Sequence, residues 1–104
     1  MATASTKDAV LELFRQHEAE LRAFGVRRLG LFGSFVRDQA TAKSDIDLLV
    51  EFAPGRKRFD AYMQLVFFLE EVLGRSVELV TPEALSPHLG PHILSEVNYV
   101  AFDV

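Results

Sequence analysis

Residues 33–49 read GSFVRDQATAKSDIDLL, a small flexible pair followed ten residues later by two aspartates one position apart. The stretch from Asp45 to Phe52 alternates, with Ile46, Leu48, Val50 and Phe52 on one face and Asp45, Asp47, Leu49 and Glu51 on the other. That period of two predicts a strand with one face in a core. Just upstream, the leucine-rich run Val26 to Phe32 ends at Gly33-Ser34. It predicts a second strand closed by a tight turn, with a short helix from Ser34 to about Gln39.

Working outward, Ser5-Thr6-Lys7-Asp8 resembles a capping box, and Val10, Leu13, Phe14, Leu21 and Phe24 recur at helical spacing up to Gly25. One continuous first helix is predicted. Downstream, Phe59, Tyr62, Leu65, Val66, Leu69, Val72 and Leu73 form one helical stripe that stops at Gly74. Arg75 to Val80 predicts a third strand, with Val77 and Leu79 on one face and Glu78 and Val80 on the other. Thr81-Pro82 reads as a helix start. Pro87, Gly90 and Pro91 leave room for two short helical turns and an extended tail, NYVAFDV. The order predicts a single-domain α/β layer over residues 1–104, with helices on one face of a three-stranded sheet and polar groups tolerated on the other.

Composition narrows the functions. With 104 residues, 49% of them apolar, the chain can bury one ordinary core. It shows neither a bilayer-length apolar run nor a secretory signal, so a cytoplasmic home without membrane contact is expected. Zero cysteines exclude disulfides and thiolate metal sites. A formal charge of -4 argues against direct nucleic-acid binding through a basic face. Arg56, Lys57 and Arg58 form a local basic turn that reads as a solvated loop.

The aspartates carry the chemistry. Two carboxylates at i and i+2 on a strand point the same way, their α-carbons roughly 6.5 Å apart. Such like charges raise each other's proton affinity, and a divalent cation relieves the conflict. Magnesium suits oxygen ligands and keeps phosphates in its shell, and Glu78 on a neighbouring strand would complete a three-carboxylate set able to hold one or two ions. Gly33 lets backbone approach a phosphate closely, the Ser34 hydroxyl adds a donor, and Arg37 offers a guanidinium fork. A Gly-Ser pair at a fixed distance before Asp-x-Asp arises by chance in a chain this long with probability on the order of 10⁻³. The combination therefore reads as a site.

Gly33-Ser34, ten residues, then Asp45-Ile46-Asp47 resembles the signature of the minimal nucleotidyltransferases of the DNA polymerase β-like superfamily, and the likeness runs from LGLFGS through SDIDLLVEF to SVELVTPEAL. It implies an α/β (α+β) fold with a small mixed sheet of three to four strands and helices mainly on one face. It also implies that Asp45 and Asp47 hold Mg²⁺, that Ser34 meets the terminal phosphates, and that Glu78 stands at the third carboxylate. The implied reaction moves a nucleoside monophosphate to a hydroxyl and releases pyrophosphate. Two positions depart from the pattern: Asp38 where relatives commonly carry glycine, and Glu78 where they carry aspartate.

Small proteins of this type resemble antitoxins encoded beside HEPN-domain toxins. The analogy implies ATP as donor, a toxin tyrosine as acceptor, and a complex with that partner, self-association being left open. Met63 and Phe67, four apart on the polar side of the third helix, are candidates for the partner surface. Two other functions stay open: an antitoxin that neutralises its HEPN partner by binding alone, and nucleotidyl transfer to a small molecule. His17 reads as a core-edge residue, and Pro91 between His88 and His92 argues against a zinc pair. Tyr99 reads as a packed ring whose phenol is a further candidate acceptor.

Overall fold

The computed structural model describes residues 5–41, 43–56 and 58–102. Its elements in chain order are α1 (Lys7–Gln16), α2 (Glu18–Ala23), β1 (Val26–Phe32), β2 (Ile46–Phe52), α3 (Phe59–Leu73), β3 (Val77–Val80), α4 (Gly90–Glu96) and β4 (Asn98–Ala101), with 3₁₀ turns at Gly33–Phe35 and Pro82–Ala84. No helix among the described residues is long and apolar enough to cross a membrane.

The strands form one mixed sheet in the order β3-β2-β1-β4. Strand β1 runs antiparallel to both β2 and β4, whereas β2 and β3 are parallel, joined through α3. The predicted extended tail is thus a fourth strand, pairing Leu29 with Val100 and Gly30 with Tyr99. Register explains the two faces. Leu29 opposes Val50 and Val100, Leu31 opposes Leu48, and Leu48 opposes Leu79, so these apolar side chains share one face. They join Val10, Phe14, Leu21, Leu65, Leu69 and Leu73 from the helices in one buried cluster. Burying each large side chain of this kind contributes about 1.5–3 kcal/mol before the entropy of ordering is set against it.

Several local expectations change. The first helix is two, because the helical run breaks at His17, whose backbone (φ -108, ψ 24) leaves the helical region. His17 bonds Glu20 across 2.8 Å and sets its ring edge-on to Phe68, as befits the core edge. Thr6 caps α1 by accepting from the Ala9 amide at 3.1 Å, without the reciprocal acid of a full capping box. Phe59, expected in the core stripe of α3, is the first residue of the helix and is 80% exposed. Gly74 ends α3 in the left-handed conformation (φ 69), as a glycine stop should. Pro91 starts α4 instead of breaking it, since a first-turn proline forfeits no helical hydrogen bond.

Two residues of the basic turn, Arg56 and Arg58, are held by neighbours. Arg56 donates to the Ala23 carbonyl at 2.8 Å, which ties it to the end of α2, and Arg58 lies 4.0 Å from Asp60. Lys57 lies outside the described residues. The sheet face away from the main core carries the Glu51 carboxylate between Arg27 (3.0 Å) and Arg28 (2.7 Å), and Arg28 stacks over the Tyr99 ring at 3.8 Å.

Candidate active site

The site forms where β1 ends and two strands present acids beside it. Phe32 pairs with Asp47, and Asp47 pairs with Glu78 across the parallel β2–β3 ladder. Both carboxylates therefore stand side by side on the face opposite the apolar cluster. Gly33 follows immediately with φ 80, a conformation that favours glycine. A Cβ built there would sit 2.2 Å from Asp47 Oδ2. Only glycine lets this turn close against the carboxylate, which links the two halves of the motif physically.

The turn is pinned from the far side. Arg75, just past α3, donates to the carbonyls of Ser44 (2.7 Å) and Thr41 and lies over the buried Phe35 ring at 4.9 Å. The Ser44 hydroxyl accepts from the Thr41 amide at 2.8 Å. The predicted Ser34–Gln39 helix shrinks to the 3₁₀ turn Gly33–Phe35, and Asp38 adopts φ 56. Position 38 thus needs the left-handed backbone that glycine supplies freely and that aspartate tolerates at modest cost. That accounts for the departure at Asp38 without disturbing the loop.

Electrostatics mark Asp47. Burial first, then the charge and hydrogen bond of Glu78 and the charge of Asp45, push its carboxyl up to about 6, with Arg37 pulling in the opposite direction. Two acids share one environment, and Asp47 holds its proton well above the ordinary carboxylate range. A divalent cation fits such a pair, since it would replace that proton with charge both oxygens want. Among the described residues, no group of three or more His, Cys, Asp or Glu is close enough to hold a metal ion together. The expected three-carboxylate cluster is therefore a facing pair, Asp47 and Glu78, with Asp45 set apart.

The cavities show the same division. Asp47 and Glu78 line a cleft of about 380 Å³ together with Gly33, Arg37, His92 and Glu96. Asp45, exposed just before β2, lines a neighbouring cavity of about 700 Å³ with Thr41, Lys43, Ser44 and Arg75. Ser34 is half-buried in the turn and does not line the cleft. Sequence reading missed Glu96 and weighed His92 only as a zinc ligand, yet α4 brings both into the cleft. Glu96 accepts from the Gly33 amide at 3.1 Å and from Arg37 Nη1 through both oxygens, each at 3.1 Å. No spacing pattern signals a contact made across 63 residues.

Of the remaining candidates, Phe67 is 63% exposed on α3 and Met63 is half-buried one turn before it. The Tyr99 ring packs beneath Arg28, and burial raises the pKa of its hydroxyl. It does not line the cleft, so the structure does not present it as an acceptor.

Comparison with known proteins agrees with this geometry. Residues 8–100 match the nucleotidyltransferase domain model. The protein adenylyltransferase MntA of Thermococcus cleftensis is 39% identical over 98 residues, covering 91% of this chain and 96% of that one. A solved structure of a putative minimal nucleotidyltransferase superposes with TM-score 0.77 at 29% identity, over 93% of this chain and 98% of its own. The fold also matches, at TM-score 0.53 and 21% identity, a structure of a tri-AMPylated Shewanella oneidensis HEPN toxin in complex with MNT antitoxin, covering 82% and 69% of the respective chains. The chain belongs to the nucleotidyltransferase domain family, and it is a nucleotidyltransferase of the minimal type.

Proposed function

We propose that this nucleotidyltransferase moves AMP from ATP to a tyrosine hydroxyl of a HEPN-domain toxin and so acts as its antitoxin. The observation that carries the reading is the facing pair Asp47–Glu78 with the Gly33 turn closed against it. The MntA relative, an adenylyltransferase acting on protein, supports the protein acceptor, and the antitoxin fold bound to an AMPylated HEPN toxin supports the partner.

Asp47 and Glu78 would hold Mg²⁺, with Asp45 adding charge from the strand entrance. Bound there, the ion would offset negative charge on the phosphates and on the attacking oxygen. The Gly33 amide and the Arg37 guanidinium receive phosphate oxygens, and Ser34 supports the same turn. The acceptor oxygen bonds to the α-phosphorus as the bond to the β-phosphate oxygen breaks. Pyrophosphate leaves, and the hydroxyl proton passes to a carboxylate of the Asp47–Glu78 pair. An aqueous α/β cleft this small leaves the acceptor to be supplied from outside, which suits a protein partner seated over it. Phe67 and Met63 on α3 are assigned to that partner surface.

The test is incubation with ATP labelled at the α-phosphate, Mg²⁺ and the HEPN partner, comparing wild type with Asp47→Asn. Label on the partner with wild type alone supports transfer. If Asp47→Asn neutralises the toxin equally well with no label, neutralisation is by binding alone.

A further inference from the structure

The donors assigned to phosphate already hold an anion. Glu96 Oε1 accepts from the Gly33 amide at 3.1 Å and from Arg37 Nη1 at 3.1 Å, and Oε2 accepts from the same Nη1 at 3.1 Å. A carboxylate presents two oxygens and a negative charge to these groups much as a phosphate does. The Glu96 side chain is 16% exposed and that of Arg37 45%, so the contact is sheltered on the carboxylate side. Among the described residues that line the cleft, Arg37 is the only arginine or lysine, facing Asp47, Glu78 and Glu96. A triphosphate cannot take the Gly33 amide and Arg37 Nη1 while Glu96 keeps both.

The backbone under Glu96 is fixed. It closes α4, its carbonyl accepts from the Asn98 side chain at 3.2 Å, and Asn98 pairs with Leu31 across the sheet. Release therefore requires only rotation of the Glu96 side chain, without unfolding of α4 or β4.

Resting on the reading of this cleft as a nucleotide site, we propose that Glu96 is an internal latch: its carboxylate occupies the phosphate-receiving donors and swings away when a triphosphate binds, thereby setting nucleotide affinity. The opposite role is a brace, in which Glu96 holds Arg37 in place for phosphate. The two differ in sign. Removing a latch tightens binding, and removing a brace weakens it.

Calorimetric titration of wild type, Glu96→Gln and Glu96→Ala with ATP and with tripolyphosphate, both with Mg²⁺, separates them. Both variants bind both ligands about two- to fivefold tighter, the range a part-exposed ion pair spans. Adenosine, lacking phosphate, binds the variants no better than wild type. In the wild-type chain, tripolyphosphate also shifts the Gly33 amide resonance and the Glu96 side-chain carboxyl resonance together. Unchanged or weaker binding by both variants, with ATP still bound by wild type, overturns the latch and leaves the nucleotide site standing. Absence of ATP binding by all three folded proteins overturns the site and the latch together.

Discussion

Replacing Asp47 by asparagine should stabilise the metal-free protein at alkaline pH and leave it nearly unchanged in acid. Asparagine has almost the same shape, so the close approach of Gly33 is kept, and its amide can still donate to Glu78. What it removes is the charge. The Asp47 carboxyl is pushed from the ordinary 3.8 up to about 6 by burial and by its acidic neighbours. Between those values the folded state binds more protons than the unfolded one, so stability falls as pH rises through this window. The full cost is present above the folded value and absent below the unfolded one. Taken at face value the displacement is worth at most about 3 kcal/mol, and solvent screening of this half-exposed group lowers it to about 1–1.5 kcal/mol. In a domain of this size, that corresponds to about 5–10 °C in melting temperature. Thermal unfolding followed by circular dichroism in chelator, at about pH 8 and about pH 4, measures it. Added Mg²⁺ should then raise the wild-type melting temperature and leave the variant unmoved, because only binding to the folded state stabilises it. A variant equally destabilised at both pH values would refute the reasoning, since a packing defect has no such pH dependence.

Other substitutions probe the frame around the site. Gly33→Ala places a methyl 2.2 Å from Asp47 Oδ2 at φ 80, and it should cost about 2–4 kcal/mol in denaturant unfolding and abolish nucleotide binding. Asp38→Gly relieves a left-handed aspartate (φ 56) and should leave equilibrium stability within about 1 kcal/mol of wild type while transfer activity persists. Leu65→Ala in the fully buried stripe of α3 should lose about 2–5 kcal/mol by urea titration. Phe67→Ser should change stability by no more than about 0.5 kcal/mol, yet weaken co-purification with the HEPN partner.

The parts of the fold that were legible in the sequence are those whose pattern is local. The alternation from Ile46 to Phe52 gave β2, and the stripe from Tyr62 to Leu73 with its glycine stop gave α3, because periodicity and a left-handed cap act within a few residues. Strand β4 was hidden: Asn98–Ala101 is a strand because β1 offers it an edge, a partner some 70 residues away in the chain. The break at His17 leaves the apolar spacing of α1 and α2 intact, so spacing alone could not reveal it. That Asp47 and Glu78 share a sheet face beside a glycine turn was legible through strand parity and the glycine requirement. Asp45 sits one residue outside the strand, where parity no longer fixes direction, and it faces the neighbouring cavity. Glu96 was illegible, since its role depends on α4 docking over the β1 turn.

The most direct measurement is the intact mass of the HEPN partner after co-expression with wild type and with Asp47→Asn. The account predicts a partner heavier by one or more AMP groups with wild type and unmodified with the variant. An unmodified partner in a verified, neutralised wild-type complex would contradict it.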